Sequence, residues 1–380
     1  MVAMVADEVT FSIGIDVGGT FTDLFLWPQP GEVESLKVLT TPKDPSLGVL
    51  EGLRAIAAAR GLSLPAFARR VRTIVHGTTV TTNATLTRRG AKTGLLTTEG
   101  VRDALEMRRG IREAPYDNRL HNVVPLVPRE RRLTARGRLD RAGAELAPLD
   151  LDGIRQAARR LGDEGVEAVA LCFMNAFANP AHERAAAEVV RAELPTAFVS
   201  VSSEVLPTIR FYNRVSTTVL NAYTGPVLRS YLRSLTARLD EIEFGGVLLI
   251  MQSSGGVALP EATLARPAMT LLSGPAAGPR AGLAFTEASG WRSCLVVDMG
   301  GTSFAASLVK DGRVELKAEG DIERLRIALP MLDIVTIGAG GGSIGWIDAG
   351  GLLRVGPESA GADPGPACYG RGGQRPTVTD

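Results

Sequence analysis

Two short glycine-rich segments of the sequence carry the residue types that bind phosphate groups and metal ions. Residues 16–20 read DVGGT and residues 298–302 read DMGGT, and each segment follows an apolar run. Glycines let the backbone approach a ligand closely, and successive backbone N–H groups in such a turn form a concavity that binds anions. An aspartate at the end of a strand can hold Mg²⁺ directly or through water. Two such turns facing each other would therefore grip a polyphosphate and its metal ion from both sides.

The elements around the two turns follow an α/β pattern. Apolar runs stand before and after each turn, so each turn is expected to join two strands. Helix and strand patterns alternate between residues 151 and 201, which favours a parallel or mixed sheet covered by helices. Residues 112–150 are rich in Arg and Pro and weakly periodic, so we expect an excursion of short strands, a small lobe or a lid. A second α/β unit is predicted to start near Pro207, which gives each domain one turn.

Length and composition exclude several classes of protein. A chain of 380 residues is long enough for two domains, and 45% hydrophobic with 22% charged residues is ordinary for a globular protein. The formal net charge is +1, so no strong field favours a nucleic-acid or membrane partner, and we expect neither. The 3 cysteines are isolated and no apolar run approaches the length of a membrane span. These features predict reduced thiols and a cytoplasmic protein.

A glycine cluster near the C-terminal end raises a second phosphate-binding hypothesis. Residues 340–345 read GGGSIG, which matches the G-x-G-x-x-G pattern of dinucleotide-binding folds. That pattern must open a helix, whereas the residues that follow read as a strand and a turn. We therefore favour a glycine-rich loop that packs close to an adenosine or to phosphates.

Two polar segments are candidates for substrate contact, each with a structural alternative. His76, Thr78 and Thr79 follow a predicted strand and are typical of a ligand-contacting loop, although a hydrogen-bonded structural histidine would fit as well. Ser254 and Gly255 end another predicted strand, where they would contact substrate or phosphate, or form a tight turn.

Longer motifs together resemble the hydantoinase A / 5-oxoprolinase family. The motifs cover nearly the whole chain and read GIDVGGTFTD, VHGTTVTTNATL, LLIMQSSGG, LLSGPAAG, DMGGTS, PMLDIVTIGAGGGSI, RVGPESAGADPGPACYGRGG and PTVTD. The resemblance implies a two-lobed α/β fold of the actin-like and sugar-kinase-like ATPase type, with mixed sheets flanked by helices. The first lobe would span residues 9–205 and the second residues 206–380, with the nucleotide in the cleft between them.

The resemblance also implies roles for residues of both turns and of the glycine loop. Asp16, Asp23 and Asp298 are expected to be catalytic, and Asp16 and Asp298 to hold Mg²⁺ beside ATP. Contacts with the nucleotide phosphates are expected from Gly18, Gly19, Thr20, Thr22, Gly300, Gly301, Thr302, Gly338, Gly340 and Gly341.

The chemistry implied is ATP-dependent ring opening of a cyclic amide such as 5-oxoproline or a hydantoin. The amide oxygen would be phosphorylated first, and water would then attack the carbonyl carbon. A B-type hydantoinase subunit or domain is the expected partner, and a homo-oligomer is compatible with the motifs. Two alternatives stay open: a subunit of an acetone or acetophenone carboxylase, and a chain that binds nucleotide without turnover. A role in glutathione metabolism would follow for 5-oxoproline as substrate.

Two features depart from the family's pattern. The family reads DMGGTSTD at the second turn, whereas Phe304 and Ala305 stand here in place of its second Thr and its final Asp. A hydroxyl and a carboxylate near the metal and the phosphates are thereby lost, so the first turn is expected to carry most of the side-chain chemistry. The chain also stops at TVTD without a closing element, from which we expect part of the second lobe to be absent.

Overall fold

The computed structural model describes residues 9–18, 21–41, 44–110, 113–301, 303–361 and 363–380. The strands are β1 (Thr10–Val17), β2 (Phe21–Gln29), β3 (Glu34–Leu39), β4 (Val71–Thr78), β5 (Thr93–Thr98), β6 (Arg132–Ala135), β7 (Arg138–Leu139), β8 (Glu145–Ala147), β9 (Ala168–Cys172), β10 (Phe198–Val201), β11 (Val247–Met251), β12 (Val257–Ala258), β13 (Cys294–Met299), β14 (Phe304–Lys310), β15 (Arg313–Val314), β16 (Leu316–Lys317), β17 (Gly320–Ile322), β18 (Leu325–Ile327), β19 (Met331–Leu332), β20 (Ile334–Ile337), β21 (Ser343–Ile347) and β22 (Leu353–Ser359). The α-helices are α1 (Pro45–Ala59), α2 (Leu64–Ala68), α3 (Val80–Leu86), α4 (Ala104–Met107), α5 (Leu151–Asp163), α6 (Ala181–Glu193), α7 (Ser202–Val205), α8 (Phe211–Glu241), α9 (Pro260–Ala265) and α10 (Ala277–Ala288).

The first sheet carries the first glycine turn. Its strands run in the order β12-β11-β4-β1-β2-β3, with β1 parallel to β4 and β4 parallel to β11. Side chains of β1 alternate, so Phe11, Ile13, Ile15 and Val17 enter the core beneath α1 and α8. Asp16 consequently lies on the opposite face. Because the carboxyl ends of β1, β4 and β11 share one edge, the residues that follow these three strands meet there.

The second sheet is parallel throughout and is covered by helices on both faces. Its order is β10-β9-β5-β6. Val169 and Leu171 of β9 pack toward α5 and α6, whereas Ala168, Ala170 and Cys172 pack toward α8. Because β9 is buried on both faces, its sequence is a continuous apolar run and does not alternate between apolar and polar residues.

Helix α8 joins the two sheets. Its N-terminal part packs on the second sheet through Val215 and Val219, and its C-terminal part packs on the first through Leu228 and Leu235. The N-terminal half is buried around its whole circumference, which is unusual for a helix in a globular protein. Asp44 caps the first turn of α1 and pairs with Arg238 of α8 at 2.9 Å, so both helices are tied together.

The third sheet carries the second glycine turn. Strand β14 pairs with β13, β15 and β20, and helix α10 packs against one face, where Val296 meets the glycines of the helix. The other face is apolar and exposed. Its side chains come from three neighbouring strands in register, and those more than one third exposed are Leu295, Val297, Met299, Leu308, Val335 and Ile337.

The predicted boundary near residue 205 does not follow the sheets. Strand β11, which lies beyond that boundary, pairs with β4 of the first sheet, so the first sheet draws on both predicted lobes. The division into lobes at residues 9–205 and 206–380 stays a prediction. Residues 113–128, the first part of the expected excursion, form no regular strand or α-helix, and β6, β7 and β8 follow as short strands. Among the residues that the structure describes, no helix combines the length and the apolar character that crossing a membrane requires.

Candidate active site

The first hairpin places two carboxylates side by side. Asp16 on β1 is the register partner of Asp23 on β2, so both side chains stand on the same face of the sheet. Oxygen Oδ1 of Asp16 is buried and accepts no hydrogen bond within the described residues. Burial raises the pKa of Asp16 to about 6, and the negative charges of Asp23 and Asp298 add to this effect, while Lys37 acts in the opposite direction. An unpartnered buried carboxylate is a group prepared for a cation.

The space beside Asp16 is kept open by glycines. Gly77 of β4 is its register partner, and a Cβ added to Gly77 would lie 3.3 Å from Asp16 Oδ1. A Cβ added to Gly274 would lie 3.9 Å from the same oxygen and 3.2 Å from Cγ2 of Thr79. Larger side chains at these positions would crowd the carboxylate. Gly77 belongs to the motif VHGTTVTTNATL and Gly274 to LLSGPAAG, although neither glycine is among the predicted site residues.

The second hairpin repeats the first in backbone geometry. The N–H of Gly18 donates to the carbonyl of Phe21 at 2.9 Å, and the N–H of Gly300 donates to the carbonyl of Ser303 at the same distance. Just as Asp16 is paired with Asp23, Asp298 is paired with Ala305. The register therefore assigns the missing family carboxylate to position 305.

The two hairpins face each other. The charge of Asp298 acts on the pKa of Asp16, although the two residues belong to different sheets. An open cleft of about 280 Å³ lies between the hairpins, lined by Phe21, Gly301, Gly342, Gly361, Pro366 and Tyr369. The structure thus brings Asp16 and Asp298 of the two turns near each other, and the phosphate clamp stays a prediction.

The glycine loop packs on the second hairpin. The N–H of Gly341 donates to the carbonyl of Gly300 at 2.9 Å, and that of Gly342 donates to Gly301 at 2.6 Å. A Cβ on Gly340 would lie 2.7 Å from the Gly300 carbonyl oxygen, so the close approach of two backbones requires glycine there. The loop continues into strand β21, which confirms the predicted strand and excludes a dinucleotide-binding turn at this position. Contacts of Gly338, Gly340 and Gly341 with a nucleotide stay predictions.

Thr22 lies on the opposite face of the first hairpin from Asp16. Its hydroxyl is fully buried, 3.0 Å from the hydroxyl of Thr40, and it faces helix α1 at Gly48. The Thr40 hydroxyl donates in turn to the carbonyl of Gly18 at 2.9 Å. Because neighbouring side chains of a strand point to opposite faces, Thr22 and Asp23 do not serve the same ligand. The position of Thr22 corrects the expected phosphate contact: its hydroxyl fixes the shape of the turn.

His76 and Thr78 are core residues. Nε2 of His76 lies 2.7 Å from the hydroxyl of Tyr231, and neither His76 nor Thr78 has exposed surface. Burial lowers the pKa of His76 to about 4, so its ring is neutral at physiological pH. This geometry supports the alternative of a structural histidine. Thr79, in contrast, reaches the site and donates to the carbonyl of Val17 at 3.1 Å.

Residues 252–256 form a tight turn at the same edge of the first sheet. The N–H of Gly255 donates to the carbonyl of Gln252 at 2.9 Å, and Gly255 has a φ of +73°, which favours glycine. Arg280 donates to the Gly255 carbonyl at 3.1 Å. A substrate contact from Ser254 or Gly255 remains a prediction beside this turn. The predicted contacts of Gly19, Thr20 and Thr302 fall outside the described residues.

The donor set suits Mg²⁺ held by few protein ligands. Within the described part of the chain, no group of three or more His, Cys, Asp or Glu side chains comes close enough to form a closed metal site. Mg²⁺ commonly takes one or two carboxylates and completes its shell with water and phosphate oxygens. The unpartnered Oδ1 of Asp16 and the exposed carboxylate of Asp298 fit that requirement.

Comparison with known proteins identifies relatives along the whole chain. The family model described as hydantoinase/oxoprolinase N-terminal region matches residues 12–194, and the model described as hydantoinase/oxoprolinase matches residues 214–380. Caprolactamase subunit alpha of Pseudomonas jessenii is 42% identical over 372 residues, which are 97% of this chain and 53% of that protein. The 5-oxoprolinase of Saccharomyces cerevisiae is 34% identical over 97% of this chain and 31% of its own length.

Two solved structures share the fold. The crystal structure of ATP-dependent caprolactamase from Pseudomonas jessenii matches 97% of this chain and 54% of its own, with a TM-score of 0.85. The nucleotide-free structure of acetone carboxylase matches with a TM-score of 0.86 at 28% identity, over 98% of this chain and 54% of that one. These neighbours have the actin-like ATPase fold, as the sequence predicts. This chain spans about half the length of caprolactamase subunit alpha and less of the 5-oxoprolinase. The chain belongs to the hydantoinase/oxoprolinase family.

Proposed function

We propose that this protein takes part in the ATP-dependent ring-opening hydrolysis of a cyclic amide, as an A-type subunit. The observation that carries the proposal is the buried, unpartnered Oδ1 of Asp16 in the first turn, close enough to Asp298 of the second turn for the charge of Asp298 to raise the pKa of Asp16. This arrangement suits a polyphosphate with its counter-cation. The relatives that act on cyclic amides, caprolactamase and 5-oxoprolinase, support the reaction class.

The chain's own residues would bind and orient the reactants. Asp16 and Asp298 would hold Mg²⁺, which supplies charge neutralisation on the phosphate oxygens when it is bound. Backbone N–H groups of the two turns would bind the phosphates of ATP, and Gly77 and Gly274 would leave room beside Asp16 for the reacting groups. Catalysis of phosphoryl transfer rests on such positioning and electrostatic stabilisation.

The reaction would balance through an activated amide. The amide oxygen of the substrate accepts the γ-phosphoryl group of ATP, which leaves ADP and makes the carbonyl carbon electrophilic. Water adds to that carbon, the C–N bond breaks, and inorganic phosphate and an open-chain amino acid are released. A B-type partner subunit would carry the hydrolytic step.

Phosphate release in the presence of different substrates tests the proposal. Purified protein with ATP and Mg²⁺ is assayed with ε-caprolactam, 5-oxoproline and hydantoin, each with and without a B-type subunit, and open-chain product is quantified. We expect at least one cyclic amide to stimulate ATP hydrolysis in proportion to ring-opened product. Stimulation by acetone or acetophenone with bicarbonate, and by no cyclic amide, would instead identify a carboxylase subunit.

The second hairpin supports an alternative function. Ala305 stands where the first hairpin has Asp23, so the clamp lacks one carboxylate. A protein that binds ATP without turning it over would show saturable calorimetric binding of ATP with Mg²⁺ and no phosphate release with any substrate or partner.

A further inference from the structure

A second pocket lies at the carboxyl edge of the second sheet. It is open to solvent, spans about 320 Å³ with that open space included, and is lined by Arg108, Arg109, Glu113, Tyr212 and Arg326. Arg108 and Arg109 follow helix α4, which comes after β5, and Tyr212 belongs to the first turn of α8. In open parallel sheets, ligands bind outside the carboxyl ends of the strands. The second sheet therefore places a cavity where such folds hold their ligands.

Positive charge exceeds negative charge around this pocket. Five guanidinium groups (Arg108, Arg109, Arg210, Arg324 and Arg326) share three carboxylates (Glu113, Glu319 and Asp321) through ion pairs of 2.5 to 4.0 Å. Each guanidinium carries five N–H donors in a fixed planar fork. The carboxylates compensate part of this charge and orient the arginines, which leaves an excess of two positive charges.

Several buried polar atoms of this cluster have no hydrogen-bond partner in the described structure. Nε of Arg326 lies 3.3 Å from Oδ1 of Asp321 without reaching an aligned hydrogen bond. Nε of Arg324 is also unpartnered. Unsatisfied buried donors are costly, and of these two arginines Arg326 lines the pocket, where an anion would offer it an acceptor.

The backbone next to the pocket is strained at two arginines. Arg108 has φ 53° and ψ −124°, and Arg210, which precedes α8, has φ 72° and ψ 88°. Residues other than glycine rarely adopt such conformations, and those that do cluster at functional sites. At Arg108 this conformation belongs to a side chain that lines the cavity.

The pocket is separate from the cleft between the hairpins. Tyr212 stands near the start of α8, whereas Tyr231 of the same helix contacts His76, the neighbour of Gly77. The two tyrosines are about 28 Å apart along the helix axis, at about 1.5 Å of rise per residue. A ligand in the arginine pocket therefore does not touch the groups around Asp16.

We propose that the arginine pocket binds a small oxyanion, a carboxylate or phosphate group, independently of the nucleotide cleft. The planar guanidinium forks of Arg108, Arg109 and Arg326 suit two-point contact with such a group. The hydroxyl of Tyr212, 3.4 Å from Nε of Arg108, supplies a further polar contact.

Anion titration with the nucleotide cleft blocked tests this site. The protein is saturated with Mg²⁺ and a non-hydrolysable ATP analogue, and is titrated calorimetrically with inorganic phosphate and, separately, with acetate at constant ionic strength. We expect saturable binding of at least one anion with a millimolar Kd. Binding that disappears when the analogue is added would overturn the proposal, as would no saturable binding of either anion.

Matched arginine variants locate the binding. Arg109→Gln and Arg326→Gln are expected to weaken the anion at least fivefold. Arg54→Gln, on helix α1 beside the first sheet and with a side chain that is 53% exposed, makes the same change in net charge and is expected to bind as the wild type does. Arg109 is partly exposed and makes one ion pair within the described residues, with Glu319. Its variant is therefore expected to unfold at the wild-type temperature, and it decides the outcome if Arg326→Gln is unstable. Equal affinity in Arg109→Gln and wild type would reject the site.

Discussion

The two glycine hairpins share a backbone and differ in side chains. In both, a strand whose second-to-last residue is aspartate returns through a turn closed by a 2.9 Å hydrogen bond, with the same register. The first hairpin sets Asp23 beside its aspartate, and the second sets Ala305 there. The duplication thus preserves the hydrogen bond and the register of the hairpin, while the carboxylates are distributed unequally.

The strand register also places Phe304 and Ala305, the two residues of the second hairpin that depart from the family motif, on opposite faces of the sheet. Ala305 shares a face with Asp298, whereas Phe304 pairs with Met299 and Ile337 on the opposite, apolar face. Phe304 matches Thr22 of the first hairpin, whose hydroxyl faces away from Asp16. Of the two substitutions, only the alanine lies on the face that carries Asp298.

Replacement of Asp16 by Asn is expected to have the largest effect on activity. Loss of the carboxylate at the cleft should lower ATP turnover by about 10² to 10³-fold, the range seen when one electrostatic group is removed from an active site. Asp298→Asn is the matched variant, because its carboxylate is exposed and belongs to the second hairpin. Steady-state phosphate release compares the two variants, and equal losses would show that the hairpins contribute alike.

The same Asp16→Asn variant is expected to be more stable than wild type above pH 6. The folded pKa of Asp16 is about 6 against an ordinary 3.8, so the folded state binds its proton more tightly than the unfolded state. Ionisation of the folded group above pH 6 therefore costs about 3 kcal/mol, which Asn avoids. Urea denaturation should show this gain at pH 7.5 and its disappearance as the pH falls to about 4. A gain that persists at low pH would contradict the burial of Asp16.

Replacement of Tyr231 by Phe tests the support beneath the first hairpin. Nε2 of fully buried His76 would lose its partner at 2.7 Å, which should cost about 1–3 kcal/mol of unfolding free energy. Tyr116→Phe, at a tyrosine that is 99% exposed, is the control and should leave stability unchanged. Urea denaturation measures the unfolding free energy of both variants. Equal values for the two would contradict a structural role of His76.

Restoring a carboxylate to the second hairpin should have the smallest of these effects. Ala305→Asp is expected to raise ATP turnover by about tenfold, which corresponds to about 1.4 kcal/mol of transition-state stabilisation. Phe304→Thr should change turnover less than twofold, because position 304 lies on the other face. Single-turnover measurements on each variant test whether only position 305 affects turnover. A larger gain from Phe304→Thr than from Ala305→Asp would refute this assignment.

Local patterns predicted much of the site, whereas tertiary contacts decided the rest. Apolar runs around a glycine turn are sufficient to predict both hairpins and the strand after the glycine loop. The alternation of side chains along a strand is also sufficient to predict that Thr22 and Asp23 point to opposite faces of the sheet. No local pattern shows that β11 pairs with β4, or that His76 is buried, because both depend on distant segments.

Helix α8 shows the limit of periodicity most directly. Sequence patterns predict no element for residues 211–241, although these residues form a 31-residue helix. Burial around the N-terminal half removes the polar face that reveals an amphipathic helix, and Pro226 inside the helix argues against helical structure. A helix segment that is buried on all sides can be predicted only once the sheets that cover it are placed.

The apolar face of the third sheet has a practical consequence for every measurement above. A contiguous patch of exposed aliphatic side chains on neighbouring strands attracts other hydrophobic surfaces, including copies of itself. The chain purified on its own should form soluble aggregates that grow with concentration and with sulfate. Light scattering across a dilution series will define the concentration below which kinetic constants refer to a dispersed protein. Charged substitutions at Val297 and Val335 should raise that concentration without altering the cleft.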